Sequence, residues 1–331
     1  MDLTTALKRQ PSLPGLIGIE RISFIYGGFT LIVGLFFIGL IDDFTPILLL
    51  RGVLVVGTLA LWRLYKWYPC DATYVIRVFF QIALLAFWYP DIYNFARFQP
   101  NLDHAFAVAE QEIFNCQPSI LFNQWLPGFF WSELFNMGYF SYYFLIIIVI
   151  IWATLFHFRR FDKTTVIILC SFLFYFLFFV FVQSAGPQFY FQKIGLNNVV
   201  MHNFPPIGNW FRYHSELIHP HTNGGLFTSL VHMAQGSEKP IAAFPSSHVG
   251  ISTIVLILAH KMSKKLSYVL FPFYCILCVS TVYIGAHYAI DVIAGWITAF
   301  LLYWVSEKIY YSKFIHRPKE FNHRHHHHHN K

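Results

Sequence analysis

The stretch GYFSYYFLIIIVIIWATLFH occupies residues 138–157, and after the short basic segment FRRFDK (158–163) the chain continues as TTVIILCSFLFYFLFFVFVQS over residues 164–184. Neither apolar stretch contains Lys, Arg, Asp or Glu. Each has the length of about 20 residues that an α-helix needs to cross a bilayer. Together they predict two transmembrane helices whose basic connection faces the cytoplasm.

The composition of the whole chain agrees with this pair of stretches. Of its 331 residues 56% are hydrophobic and only 12% are charged, whereas soluble domains carry roughly 25% charged residues. A soluble or disordered chain is therefore excluded. The net charge of +7 comes from short basic clusters between apolar stretches, which is typical of cytoplasmic loops and does not predict binding to nucleic acid.

Applied to the whole sequence, the length criterion predicts an all-α fold, a polytopic membrane bundle of about eight transmembrane helices. The sixth predicted span is short, so we expect it to continue N-terminally or to be partly shielded by its neighbours. The spans cover residues 22–41, 47–65, 73–90, 138–157, 164–184, 249–262, 267–286 and 287–306.

Basic residues mark every second connection between these spans, which predicts that both termini are cytoplasmic. The segments 91–137 and 185–248 then face outward, together with the tight turn at 286–287. The basic connections contain Lys8 and Arg9, Arg63 and Lys66, Arg159, Arg160 and Lys163, Lys261, Lys264 and Lys265, and, in the tail, Lys308, Lys313 and Arg317.

Segment 91–137 contains an apolar stripe with helical spacing, which predicts an amphipathic helix lying in the outer membrane interface. The stripe consists of Leu102, Phe106, Ala109 and Ile113, with Asp103, Glu110 and Glu112 beside it. The long segment 185–248 is rich in His, Pro, Asn and Gly, and loops of this length are usually functional.

The first of two histidine motifs is FPSSHVG, residues 244–250. Ser246 is a good N-cap for the apolar helix that follows, and the free amides of that helix form an anion site. Ser246 and Ser247 are therefore predicted to bind phosphate. His248, in the first turn, is predicted to donate a proton to a leaving oxygen.

The second motif is STVYIGAHYAID, residues 280–291. His287 and Asp291 are four residues apart and share a helix face. A carboxylate that holds one imidazole proton leaves the other nitrogen nucleophilic. We therefore predict a phosphohistidine at His287, oriented by Asp291, with His248 as acid and then base. No metal and no cofactor are predicted. The alternative is that each histidine only forms a hydrogen bond to a neighbouring helix.

Together the two motifs resemble the type 2 phosphatidic acid phosphatase and haloperoxidase superfamily, whose pattern is P-S-G-H followed by S-R-x5-H-x3-D. Ser247 stands in place of the Gly, Thr281 stands in place of the Arg, and the K-x6-R-P motif of the family is absent. These departures argue against the ordinary phosphatases. Several stretches are instead similar to the inositol phosphorylceramide synthase branch: AGPQFY (185–190), NGGL (223–226), AAFPSSH (242–248) and STVY (280–283).

This resemblance extends over roughly residues 100–306. It implies a six-helix catalytic core with its site at the outer (periplasmic or lumenal) face. It also implies transfer of a phosphorylated head group from a phospholipid donor to a lipid alcohol, through the two histidines and Asp291 and without a metal. The alternatives are a lipid phosphatase of the same superfamily, in which water replaces the alcohol, and a transporter with a histidine proton relay. No oligomeric state is predicted.

Because the basic motif of the family is missing, another residue must bind the phosphate. Arg212 is the first candidate, since a guanidinium matches phosphate oxygens in a bidentate way. Tyr190 and Tyr283, with Tyr288, are predicted to line room for the lipid alcohol. The other candidates in segment 185–248 are Lys193, His214, His219, His221 and Lys239. For the three histidines, the alternative to phosphate binding is a zinc site.

These predictions divide the chain into four parts: N-terminal transmembrane helices (1–90), an outer interfacial segment (91–137), a catalytic core (138–306) and a basic cytoplasmic tail (307–331). The tail contains five consecutive histidines, His325 to His329. Such a run binds metal ions as an expression tag or as a natural tail, and it predicts no function.

Overall fold

The computed structural model describes residues 3–219 and 224–315. Within these residues it contains sixteen α-helices and no β-strand. In chain order the helices are α1 Leu3–Ala6, α2 Gly18–Phe36, α3 Thr45–Trp67, α4 Asp71–Ala83, α5 Leu85–Ala96, α6 Asp103–Phe114, α7 Pro118–Trp125, α8 Phe129–Phe156, α9 Phe158–Phe181, α10 Pro187–Ile194, α11 Leu196–Val200, α12 Trp210–Tyr213, α13 Leu226–Gln235, α14 Ser247–Met262, α15 Lys264–Tyr283 and α16 Ala289–Tyr310.

Seven helical segments in the described part of the chain are long and apolar enough to cross a membrane. They are α2, α3, the consecutive pair α4 and α5 (Asp71–Ala96), α8, α9, α15 and α16. Large apolar side chains on these helices are exposed, as lipid contact requires, for example Val56 and Ile297. The predicted all-α polytopic bundle is thus confirmed, and the protein is an integral, multi-pass membrane protein.

The sixth predicted span is the shorter apolar helix α14. It begins at Ser247, two residues before the predicted span, where the side chain of Ser246 caps it by accepting from the backbone N–H of Val249. Ten of its sixteen residues are buried. The expected shielding is therefore confirmed, and the expected N-terminal continuation amounts to two residues.

The chain divides into two compact units. The first contains the residues up to Asp91, Ile150–Leu173 and the residues from Leu301 onward; the second contains Ile92–Val149 and Phe174–Phe300. Both histidine motifs belong to the second unit.

The first unit packs α2, α3 and α4 together and contains buried ion pairs. Arg51 Nη1 lies 2.6 Å from Asp91 Oδ1, and Arg77 Nη2 lies 2.7 Å from Glu20 Oε2. Unpaired charges inside a membrane are costly, so each of these charges is neutralised by a partner on another helix. The pairs fix which faces of these helices meet.

In the second unit, α14 and α15 form a tight helical hairpin, and α16 crosses the start of α14. Gly295 of α16 makes this crossing possible, because a Cβ at this position would lie 2.8 Å from the carbonyl oxygen of Ser246. The backbone N–H of Ser246 also donates to the carbonyl of Asp291 at 3.0 Å. The crossing brings the two histidine motifs together.

Helix α6 confirms the helix expected in segment 91–137, but its buried face differs from the expectation. Asp103, Ala107 and Glu110 are buried, whereas Ile113 of the apolar stripe is exposed. The two carboxylates can be buried because they accept hydrogen bonds from backbone amides of other segments. The acidic side of α6 therefore faces the interior of the second unit.

Candidate active site

The N-terminus of α14 forms the first wall of the site. Ser246 is fully buried, and its Oγ accepts from the N–H of Val249 at 3.3 Å, as expected for an N-cap. Ser247 is the first residue of the helix and His248 the second. The imidazole of His248 is thereby attached to the first turn, where the backbone N–H groups lack intrahelical partners.

The two predicted catalytic histidines are in contact. His287 Nε2 lies 3.3 Å from His248 Nδ1, and the rings meet edge to face. His287 Nδ1 lies 2.8 Å from the carbonyl oxygen of Ala243. A carbonyl can only accept, so Nδ1 carries the proton of the neutral ring and Nε2 keeps its lone pair. The nitrogen facing His248 is therefore the nucleophilic one.

Asp291 lies behind His287, but it does not hold the ring directly. Its Oδ2 is 3.7 Å from His287 Nδ1, beyond hydrogen-bonding distance, and accepts from the N–H of Tyr288 at 2.8 Å. Its Oδ1 is buried without a hydrogen-bond partner. The orienting role predicted for Asp291 thus falls to the carbonyl of Ala243 in this structure, and the catalytic role of Asp291 stays a prediction.

His248 is packed between aromatic rings. The ring of Tyr139 stacks on it at 4.7 Å, and the ring of Tyr142 lies at 4.4 Å. The hydroxyl of Tyr139 donates to Glu238 Oε1 at 2.7 Å, and Gln188 Nε2 donates to Glu238 Oε2 at 3.0 Å. Glu238 was not among the predicted site residues. Its only signal in the sequence is an acidic residue shortly before the first histidine motif.

Burial and the charge of Glu238 have opposite effects on the pKa of His287. Burial lowers the pKa of His287 to about 4, although the Ala243 carbonyl and the negative charge of Glu238 both act to raise this pKa. Burial also raises the pKa of Glu238, against hydrogen bonds from Tyr139 and Gln188 that lower it. At neutral pH His287 is therefore uncharged, as a nucleophile must be.

The acidic face of α6 holds the backbone around these histidines. Asp103 accepts from the N–H groups of Ala185 and Gly186 at 2.7 and 2.8 Å, and from the hydroxyl of Tyr288 at 3.1 Å. Glu110 accepts from the N–H of Ala289. Both acids therefore fix the residues that directly follow His287, and Asp103 also fixes the Ala185–Gly186 segment packed against them. In the sequence they stand out only as neighbours of an apolar stripe.

The loop at Gly186 shows how closely these segments approach. Gly186 has a φ of +89°, and a Cβ there would lie 2.5 Å from the carbonyl oxygen of Ala286. Nearby, the N–H of Gln188 donates to the carbonyl of Gly285 at 2.7 Å. The AGPQFY stretch of the sequence is thus a support for the turn that carries His287.

Three predicted substrate-binding residues have other contacts. The hydroxyl of Tyr283 donates to the carbonyl of Leu126 at 2.7 Å, and that of Tyr190 donates to the carbonyl of Pro205 at 2.9 Å. Arg212 lies against Phe98, with its guanidinium carbon 5.0 Å from the ring centre. None of these contacts involves the two histidines, so the substrate-binding roles of the three residues stay predictions.

The remaining phosphate candidates lie on aromatic or histidine rings. Lys193 and His214 contact Trp210, and His219 stacks on His232 at 3.9 Å. In residues 3–219 and 224–315 no group of three or more His, Cys, Asp and Glu side chains is arranged to hold a metal ion. His221 of the proposed zinc site and the run His325 to His329 lie outside the described residues.

The fold and the site define a multi-pass membrane protein with two histidines in contact, of which His287 is buried and neutral. A family model described as the PAP2 superfamily matches residues 105–305, more than half of the chain, and this range includes both histidine motifs. The chain belongs to the PAP2 superfamily. Its function is accordingly of the lipid phosphatase or phosphotransferase type. No curated protein and no solved structure matches the chain.

Proposed function

We propose that the protein is a membrane phosphotransferase that moves a phosphorylated head group from a phospholipid to a ceramide-type lipid alcohol, as inositol phosphorylceramide synthases do. The observation that carries this proposal is the histidine pair. His287 presents an unprotonated Nε2 to His248 at 3.3 Å, while the Ala243 carbonyl fixes the tautomer. Such a pair supplies a nucleophile and a proton carrier at one phosphorus atom.

In the first step, Nε2 of His287 attacks the phosphorus of the donor phospholipid. The new N–P bond forms as the P–O bond to the diacylglycerol oxygen breaks. His248 enters this step as imidazolium, a form that the anionic phosphodiester beside it favours, and gives its extra proton to that oxygen. The products are diacylglycerol and a phosphohistidine that carries the head group. Asp291, with its buried and unpartnered Oδ1, stabilises the positive charge of the imidazole during this step.

In the second step, His248 takes the proton of the acceptor hydroxyl. The acceptor oxygen attacks the phosphorus, the N–P bond breaks, and His287 returns to its neutral form. The phosphorus must lie about 3 Å from His287 Nε2 while His248 reaches the leaving or entering oxygen, so both steps need the two nitrogens further apart than the 3.3 Å between them. Substrate binding therefore separates the rings of His248 and His287.

Transfer to an alcohol is favoured over hydrolysis by the groups around the histidines. Thr281, which replaces the arginine of the family pattern, is buried and donates to the carbonyl of Cys278 at 2.9 Å, inside its own helix. The neighbours of His248 are two tyrosine rings rather than guanidinium groups. Such a pocket suits the hydroxyl and apolar chains of a lipid better than a free phosphate dianion.

The experiment is an assay of the purified protein with phosphatidylinositol as donor and ceramide as acceptor. We expect a phosphorylated sphingolipid that forms only when both lipids are present. Release of inorganic phosphate from phosphatidic acid at a comparable rate, without an acceptor product, would instead identify a lipid phosphatase.

We also propose that the site opens to the outer or lumenal face and that both termini are cytoplasmic. The alternation of basic and non-basic connections supports this orientation. A lipid substrate can then enter from the outer leaflet.

A further inference from the structure

Three basic side chains of the second unit converge on two aromatic rings. The guanidinium carbon of Arg97 lies 5.7 Å from the centre of the Tyr93 ring and 5.0 Å from that of Phe98. Arg212 lies 5.0 Å from the same Phe98 ring, and Lys239 lies 5.6 Å from the Tyr93 ring. Basic groups gathered on neighbouring rings repel one another, so a shared anion would stabilise the group.

The two arginines of this group have hydrogen-bonding capacity left over. The Nε atoms of Arg97 and Arg212 are both buried and have no acceptor. Arg212 has a single long bond, from Nη2 to the carbonyl of Phe98 at 3.4 Å. A buried donor without an acceptor destabilises the folded protein. The acceptor with the best match to two guanidinium groups is a phosphate, whose oxygens accept in pairs.

The position of the group agrees with a lipid head group as its ligand. Arg97 directly follows the membrane-spanning segment Asp71–Ala96, so it lies at an end of a span, the depth at which head-group phosphates lie. Arg212 is fixed in the same place, because the hydroxyl of Tyr93 donates to the carbonyl of Phe211 at 2.7 Å.

The group is also connected to the histidine pair through the chain. Lys239 directly follows Glu238, whose carboxylate accepts from the hydroxyl of Tyr139. The ring of Tyr139 in turn stacks on His248. An anion bound at the basic group is therefore held by a segment that also forms the wall of the catalytic site.

We propose that Arg97, Arg212 and Lys239 form a subsite that binds the phosphate of an anionic phospholipid. Binding of the anion does not depend on catalysis, whereas the use of this subsite to dock the donor rests on the proposed function. The subsite supplies positive charge that the histidine pair, with Thr281 in place of an arginine, does not have.

The experiment measures lipid binding to the full-length protein in detergent by native mass spectrometry. All variants carry His287→Ala, so that no lipid is turned over and the result is independent of the proposed reaction. The probes are phosphatidylinositol, diacylglycerol as its uncharged counterpart, and inorganic phosphate as a competitor. Arg159→Gln is the control, because Arg159 is an exposed arginine outside the subsite.

We expect Arg97→Gln and Arg212→Gln each to weaken phosphatidylinositol binding at least tenfold and to leave diacylglycerol binding unchanged, while Arg159→Gln stays within twofold. Arg97→Lys retains the charge but loses the planar fork, so it should fold even if the glutamine variant does not and should bind severalfold more weakly. Competition by inorganic phosphate would identify free phosphate as a sufficient ligand; its failure would identify the lipid head group.

Two results would overturn the subsite. In one, the glutamine variants bind phosphatidylinositol as tightly as the Arg159→Gln control. In the other, diacylglycerol binding falls as much as phosphatidylinositol binding, which would make the arginines structural anchors of the membrane interface.

Discussion

His287 is held by the backbone of a distant segment. Its Nδ1 meets the carbonyl of Ala243 at 2.8 Å, whereas the nearest carboxylate oxygen of Asp291 is 3.7 Å away. A carbonyl cannot change its protonation state, so this contact fixes the reactive tautomer at every pH at which the ring is neutral. Asp291 is then free to act through its charge.

Burial sets the pH at which the nucleophile becomes available. It lowers the pKa of His287 to about 4 and raises the pKa of Glu238 from its ordinary value of 4.5, so Glu238 gains its proton first as the pH falls. The rate is lost as the pH falls through the pKa of His287, because the protonated ring cannot attack phosphorus. Since Glu238 is already uncharged at that pH, Glu238→Gln should leave the acid limb of kcat/KM in place. A pH–rate profile of the transfer reaction measures the acid limb.

The control for Glu238→Gln is Glu216→Gln, a change at an exposed acid of the same long segment. It should leave the acid limb where it is in the unchanged protein. An acid limb that moves in Glu238→Gln but not in Glu216→Gln would show that Glu238 is still charged when His287 titrates.

The sequence predicted the histidine contact but not what surrounds it. His248 lies in the first turn of α14 and His287 in the turn two residues before α16, and local sequence signals place both residues near the start of a helix. Glu238 and the carbonyl of Ala243 reach the site only after segment 185–248 has folded. A backbone carbonyl has no signature in the sequence, and no sequence pattern distinguishes Glu238 from the other acidic residue of this long segment, Glu216.

At the scale of elements, α6 is the support of the catalytic turn. Asp103 and Glu110 lie seven positions apart, about two helical turns, and therefore share a face. That face accepts hydrogen bonds from the backbone N–H of Gly186, which packs against Ala286, and from that of Ala289. The helix itself was predictable from its periodicity. The role of its acids was not, because an amphipathic pattern normally places charges in water.

The burial of Glu110 makes the stability of this element depend on pH. Burial and the charge of Asp291 raise the pKa of Glu110 to about 8, against the amides of Ala289 and Ile290, which lower it. The folded protein thus binds a proton that the unfolded chain has already lost above its ordinary value of 4.5. The stabilisation from this proton is complete below about pH 4.5 and is lost as the pH rises towards 8.

We therefore expect the Tm of the purified protein to fall between pH 5 and 8 and the slope to flatten in Glu110→Gln, which is neutral throughout. Thermal unfolding in one detergent at several pH values measures both slopes. The matched control is Glu112→Gln, at an exposed position of the same helix, and it should retain the original slope. Equal slopes in the two variants would contradict the burial of a protonated Glu110.

At the scale of the whole molecule, hydropathy predicted the spans well because membrane helices depend on composition over a long window. Seven segments satisfy that criterion, and α14 is the shorter helix that the same pattern had singled out. Hydropathy could not predict the crossing of α16 over the start of α14, because this crossing depends on the contact between Gly295 and Ser246.

The proposed orientation predicts the accessibility of single introduced cysteines. In a Cys116→Ser background, Ser237→Cys lies at an exposed position of segment 185–248, and Arg159→Cys lies at an exposed position of a basic connection. A membrane-impermeant maleimide added to intact cells, or to cells with only the outer barrier opened, should label the cysteine at 237 and not that at 159. The reverse labelling would move the site to the cytoplasmic face.

The central claim is the covalent intermediate, and trapping it is the most direct test. The protein is mixed with phosphatidylinositol that is radiolabelled in its phosphate, without ceramide, and is quenched at alkaline pH because N–P bonds are labile in acid. We predict label on the peptide that contains His287, its release into a sphingolipid when ceramide is added before the quench, and no label in His287→Ala. Formation of the product without any labelled peptide, or label on His248, would contradict the account.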